Sequence, residues 1–322
     1  MAPSLLRHPG HLSPASALQL SQKATEVLRK SAGAVSSSPL GALLSGSETP
    51  ELWIHHENLL LACLRTGDEP TARQCLERLV ARFGADNERV MALGGLVKEA
   101  AAPDDSALEA VMRDYDEILA ENNTNIPVAK RRIGLLRSMG RTPEAIRSLL
   151  QLLDFSPTDG EAWSELADAY MSQGLYAQAM YAMEEVLVLA PNAWNIHAKL
   201  GEMLFTAATA AGAKDEMVSR YLSESLRRFA RSIELCDHYL RGYCGLKVVT
   251  ARLLREPNSA MLKPVAAGDF CPPDRASVEK LAELATEKLA EIVRRYNAQE
   301  RSWRGYDASE IAAARELLAQ KE

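Results

Sequence analysis

The sequence predicts an all-α solenoid of stacked helix pairs, and three observations predict it. Ala and Leu are abundant, β-branched residues are sparse and aromatics are only 6% of the 322 residues, a balance that favours helices over strands. The chain repeats itself at intervals of about 34 residues. Within each interval the large and small apolar residues recur at helical spacing, and Gly or Pro stands where a helix must stop.

The clearest unit opens at Gly160. Counting Gly160 as position 1, Trp163 falls at 4, Leu166 at 7, Ala167 at 8, Tyr170 at 11, Gly174 at 15, Ala179 at 20, Met183 at 24 and Pro191 at 32. One repeat earlier, Gly140, Ala145, Leu149, Leu152 and Pro157 answer to Gly174, Ala179, Met183, Val186 and Pro191. Earlier again, Tyr115, Ile118 and Asn123 keep the register, and a first unit opens at Trp53 with Leu59, Leu60, Cys63, Gly67, Ala72, Leu76 and Leu79. An insertion around 100–104 separates those two units. After Pro191 the pattern stretches: Leu200 and Gly201 hold positions 7 and 8, but Phe229 arrives late for position 24. The expectation is therefore a longer first helix running through Ala207–Ala211 to Gly212. A further unit opens with Tyr243, Leu246 and Thr250 and is broken by a proline-rich loop, 256–274.

This pattern resembles the tetratricopeptide (TPR) repeat, W-x2-L-G-x2-Y, then A-x3-F, then P. The physical reading agrees. Gly at the inter-helix turn permits φ > 0. Small residues at 8 and 20 let two helices approach, and large residues at 4, 7, 11 and 24 fill the space around that contact. Pro at 32 ends the second helix. A single unit cannot bury its apolar faces, so stacking supplies the core and capping helices close the ends. The expected fold is a TPR superhelical solenoid of about fourteen helices. The expected organisation is a flexible segment and capping helix over 1–50, the solenoid over 51–296, and a C-terminal capping helix over 297–322. Within 1–50 the amphipathic stretch 15–31 supplies the first cap, and residues 1–14 are expected to be disordered. Asp307 is placed to cap the last helix.

In TPR proteins, positions 2, 5, 9 and 12 of the first helix line a concave face. The resemblance places Pro127, Lys130, Gly134 and Arg137 there, followed by Glu161, Ser164, Asp168 and Met171, and then by Asn195, Ala198, Glu202 and Phe205. The expected groove passes from basic through acidic to partly apolar, which suits a protein segment of mixed character. Repeat packing is assigned to Trp163, Leu166, Tyr170, Gly174, Ala179, Pro191, Gly140, Ala145 and Pro157.

A closer resemblance runs from about Trp53 to Lys247. The stretches AKRRIGLLRSMGRTPEAI, DGEAWSELADAY and EEVLVLAPNAWNIHAKLGEMLFT look like the family of subunit 2 of the endoplasmic reticulum (ER) membrane protein complex. The resemblance implies a non-enzymatic scaffold held peripherally at the cytoplasmic face of the ER membrane. The complex of that family inserts tail-anchored and multi-spanning proteins. The implied partners are cytosolic parts of subunits 3 and 5, and a soluble subunit 8 or 9.

Other chemistries find little support. Net charge is −6, so there is no global attraction to nucleic acid. The densest basic cluster, Lys130, Arg131, Arg132, Arg137 and Arg141, lacks interleaved aromatics for stacking on bases. Five cysteines without a C-x-x-C pair read as reduced thiols, and Cys63 and Cys75 fall on packing positions. The pair His55-His56 diverges on a helix, so no metal is expected. No phosphate loop, nucleophile elbow or cofactor motif occurs, so neither enzyme nor cofactor is expected. No signal peptide or transmembrane stretch is read. The alternative class is a co-chaperone adaptor that clamps heat-shock protein tails. Its clamp needs an Asn where Glu165 stands, and a carboxylate there repels the incoming tail.

Overall fold

The computed structural model describes residues 13–30, 50–210, 215–255, 273–303 and 305–320. The expectations for residues 1–12, for 31–49, for Gly212 and for the loop 256–272, which includes Cys271, lie outside these residues. Among the described residues there are fourteen α-helices, one short 3-10 turn and no strand. They fall into two compact units, 1–155 and 156–322.

The first unit holds α1 (Pro14–Lys30), α2 (Pro50–Thr66), α3 (Glu69–Phe83), α4 (Glu88–Ala101), α5 (Asp105–Glu121), α6 (Ile126–Ser138) and α7 (Thr142–Phe155). Four of these starts have a local cause. Asp68, Asn87, Asp104 and Asn125 accept backbone N–H groups of the first turns of α3, α4, α5 and α6. Pro70 and Pro127 sit in first turns, where a missing N–H costs nothing. Gly67 and Gly140 adopt φ of 77° and 73° between paired helices, the left-handed turn that the repeat demands of Gly. Helix α1 packs on α2, burying Ala24 and Leu28 in a core with Trp53, Leu60, Cys63 and Cys75.

The second unit holds α8 (Gly160–Ser172), α9 (Tyr176–Leu189), α10 (Trp194–Thr209), α11 (Asp215–Leu235), α12 (Leu240–Leu254), α13 (Arg275–Asn297), a 3-10 turn (Arg301–Trp303) and α14 (Ala308–Ala319). Consecutive helices pair, and the first helices α10, α12 and α14 also touch one another in order. Phe229 on α11 is the wedge of this core, buried beneath α10 and α12. A Cβ on Gly201 would come within 3.1 Å of its ring and one on Gly245 within 2.1 Å, so both first helices are glycine where the ring presses on them. Ser225 and Ser232 donate to the Gly201 and Trp194 carbonyls of α10, at 2.7 Å each. Asp307 accepts from the Ser309 N–H at the start of α14, whose Ile311 and Ala314 are buried.

Two expectations need correction. The added length of the stretched repeat does not lie mainly in the first helix. Helix α10 ends at Thr209 with 16 residues against 13 in α8, whereas α11 has 21 against 14 in α9. Most of the added length is in the second helix, whose strongly amphipathic sequence has an apolar face long enough to stay buried. Trp163 is half-buried rather than enclosed. Its indole N–H donates to the Pro157 carbonyl at 2.8 Å and its ring meets Tyr181 edge-on at 6.2 Å.

Candidate functional site

In the first unit the basic cluster is largely committed to neighbouring helices. Arg131 pairs with Glu99, which also accepts the Tyr115 hydroxyl at 2.5 Å. Burial and the Glu99 carboxylate push the Tyr115 phenol far above its ordinary pKa, so it stays a donor. Arg132 reaches Asp116 at 2.6 Å and Ser148 at 2.8 Å, and Arg141 bridges Glu109 and Glu144 at 2.9 and 2.6 Å. These guanidinium groups tie one repeat to the next. Lys130 is half-buried and Arg137 exposed on the same first helix, α6.

In the second unit the residues expected to line the groove lie along α8 and α10, which Lys199 and Asp168 join at 2.8 Å. Glu161 and Asn195 are exposed, while Ser164, Asp168, Met171, Glu202 and Phe205 are half-buried. Ala198, expected in the groove, is instead 1% exposed in the core with Phe229, so it has no surface to offer a ligand. The acidic stretch is balanced from within: Lys199 lies 2.8 Å from Asp168 and 3.5 Å from Ser164, and Arg241 lies 3.2 Å from Glu202.

Two cavities open beside Phe205. One, of about 290 Å³, is lined by Glu202, Phe205, Thr206, Phe229, Arg241, Cys244, Gly245 and Val248. The other, of about 490 Å³, lies between α10, α12, α13 and α14. Arg241, Cys244, Val248 and Ala251 therefore line cavities together with Phe205. The sequence reading omitted them, yet they occupy positions 2, 5, 9 and 12 of the repeat that places Tyr243 at 4. Carrying the register one repeat further finds them.

The remaining reactive groups are packing groups. Burial pushes the Cys75 thiol up to about 12 and the Cys244 thiol up to about 11, which suppresses the thiolate. The Nδ1 of His56 donates to the Leu52 carbonyl at 2.8 Å from a buried position. No group of three metal-ligating side chains converges among the described residues, and none of their helices is long and apolar enough to cross a membrane.

Paired helices with glycine turns and contacts between successive first helices define a TPR-repeat protein. Residues 83–212 match the family described as the EMC2 TPR-like repeat domain. The chain is 32% identical to TPR repeat protein oca3 of Schizosaccharomyces pombe over 76% of its own length and 83% of that protein. It is 30% identical to ER membrane protein complex subunit 2 of Xenopus tropicalis over 65% of its own length and 66% of that protein. The chain belongs to this family, that of subunit 2 of the ER membrane protein complex. Among solved structures, the crystal structure of MamA protein aligns with 66% of this chain and 96% of that one, at 14% identity and a TM-score of 0.47.

Proposed function

We propose that the chain is a non-enzymatic scaffold subunit of the ER membrane protein complex. It sits peripherally on the cytoplasmic face of the ER membrane and grips cytosolic segments of membrane subunits. Through them it supports insertion of tail-anchored and multi-spanning proteins. The observation that carries this reading is the pair of cavities beside Phe205, lined by apolar and charged side chains of successive first helices, in a chain of this family. Charged groups of these helices pair with one another across repeats instead of converging on one reactive atom, which suits recognition better than chemistry.

The contacts we assign are Glu161, Ser164, Asp168, Met171, Asn195, Glu202 and Phe205, joined by Arg241, Cys244, Val248 and Ala251. In the first unit, Lys130 and Arg137 are the assigned contacts. Rigid helices keep the ordering cost of docking low. Following the resemblance, the segments come from subunits 3 and 5. Exposed Tyr181, Val188 and Trp194 offer apolar area to a soluble subunit 8 or 9.

The test is affinity purification of the tagged chain from its native cells in mild detergent, with mass spectrometry of the co-purifying proteins. A stoichiometric set of ER multi-spanning proteins is the expected result. Recovery of heat-shock chaperones alone would put the co-chaperone adaptor in its place.

A further inference from the structure

A separate groove lies in the first unit, between the second helices α5 and α7 and over α6. It forms a cavity of about 730 Å³, within the size range of ligand pockets. Its lining on α6 is Ala129, Arg132 and Ile133, so Lys130 and Arg137, the contacts assigned above, take no part in it. The two ends of the groove differ in how their charges are met.

At one end the charges close on themselves. Arg132 pairs with Asp116 at 2.6 Å, and Arg141 with Glu109 and Glu144 at 2.9 and 2.6 Å. The Arg141 hydrogen bonds above all, with the charges of Arg147 and Arg132, hold the Glu144 carboxyl below its ordinary pKa. The guanidinium groups of Arg132, Arg141 and Arg147 thus offset the carboxylates of Asp116, Glu109 and Glu144, and this end is neutral.

Asp154 lines the other end, about 10 Å further along α7 than Arg147. Among the described residues no hydrogen bond or ion pair meets its side chain, or those of Gln151 and Asn123, which share the lining. Its position is unfavourable for the helix that carries it. Helix α7 has no basic residue in its last turn, where the terminal carbonyls already concentrate negative charge. Helix α5 also ends at this groove without a basic residue in its last turn, and α6 begins there. Two C-termini and one N-terminus together leave about half a negative charge, which adds to that of Asp154. The repeat does not require a carboxylate here, since one repeat later the same position is Val188. Phe155, next to Asp154 in the lining, is 42% exposed.

A carboxylate without a cation, set against two helix C-termini and beside an exposed ring, is complementary to one kind of group. We infer that this end of the groove is a docking subsite for an arginine side chain of a partner protein. The planar guanidinium suits both a two-point pairing with the Asp154 carboxylate and stacking on the Phe155 ring. Gln151 and Asn123 offer amide oxygens to its remaining N–H groups, and Leu119, Ala120 and Ala129 offer an apolar wall to its stem. An acidic segment is repelled here, and a purely apolar one leaves Asp154 unmatched. The inference does not rest on the scaffold reading.

Fluorescence polarisation on the full chain tests it. The probe is a labelled helix-forming peptide with one arginine and a leucine one turn away, in an alanine–glutamine background. Comparison peptides carry citrulline or glutamate in place of the arginine. The arginine peptide is expected to bind about tenfold more tightly than the citrulline peptide and more tightly still than the glutamate one, with affinity falling as salt rises. Asp154 and Phe155 are both exposed, so substitutions there are expected to leave the circular dichroism spectrum unchanged. Asp154→Lys is expected to abolish the preference for arginine and Asp154→Glu to keep it. Phe155→Leu is expected to weaken arginine binding about threefold by removing the ring face. Equal binding of the arginine and glutamate peptides to the wild-type chain overturns the inference. So does an arginine preference that survives Asp154→Lys, or an arginine peptide that does not bind. Sedimentation of the chain alone adds a further check: a dimer that Asp154→Lys dissociates would give the groove to a second copy and overturn its assignment to a partner.

Discussion

Gly94 and Gly95 are neighbours in α4 with opposite surroundings. A Cβ added at Gly95 would lie 2.2 Å from the Tyr115 hydroxyl oxygen, whereas one at Gly94 meets nothing nearer than Leu76 at 4.0 Å. Gly95→Ala is therefore expected to cost about 1–3 kcal/mol, because it displaces a buried ring held by Glu99. Gly94→Ala is expected to stabilise by about 0.5–1 kcal/mol, the helix-interior gain of Ala over Gly. Urea unfolding of the two variants checks the pair, and equal effects would refute the assigned contact. Two buried histidines set a pH dependence. Burial lowers the pKa of His56 and of His197. His197 donates from Nε2 to the Pro191 carbonyl at 3.0 Å, and no partner among the described residues meets its buried Nδ1. The unfolded chain thus binds these protons at higher pH than the folded one does. Their contribution is fully present above the unfolded value of about 6.5 and is lost as pH falls through the lower folded values. Melting temperature is expected to be flat above neutrality and to decline as pH falls below about 6.5. A His56→Asn/His197→Gln variant, which keeps each donor, is expected to flatten that decline.

At the scale of elements, two tryptophans of equal size separate burial from position. Trp53 of α2 is 9% exposed and packs edge-on against Phe83, while Trp163 of α8 is half-buried. Trp53→Ala is expected to cost about 3–5 kcal/mol. Trp163→Ala is expected to cost only about 2 kcal/mol, from partial burial and one hydrogen bond. Thermal melts of both variants compare them, and a larger loss for Trp163 would contradict the burial seen here. The helix pairs, the turn glycines and the last cap were legible in the sequence because each depends on local rules: a positive φ, an Asx cap, a 3.6-residue period. The exposure of Trp163 and the burial of Ala198 were not, since both depend on how far a neighbouring helix leans over the position. The ion pairs joining Arg131 to Glu99 and Arg141 to Glu109 were also illegible. Each couples residues in different repeats, and the anchor pattern carries no charge information. The cavity-lining residues Arg241, Cys244, Val248 and Ala251 were legible in principle, by the same register that found Glu202 and Phe205.

At the scale of the whole molecule, repeat architecture implies that stability is a sum of local terms and nearest-neighbour interfaces. Gly245 tests this in the second unit. A Cβ there would lie 2.1 Å from the Phe229 ring, which is itself buried beneath α10 and α12, so Gly245→Ala has no open space to use. The substitution is expected to destabilise the local stack by about 1–3 kcal/mol. In a single cooperative block, that loss would lower hydrogen-exchange protection everywhere that exchange requires global opening. In a solenoid the loss stays near its source. Native-state hydrogen exchange of Gly245→Ala is thus expected to show faster exchange in α10, α11 and α12, with α2, α3 and α4 keeping their wild-type rates. A uniform increase across both units would refute local coupling. On the proposed scaffold reading, local opening in the second unit would leave the first unit folded.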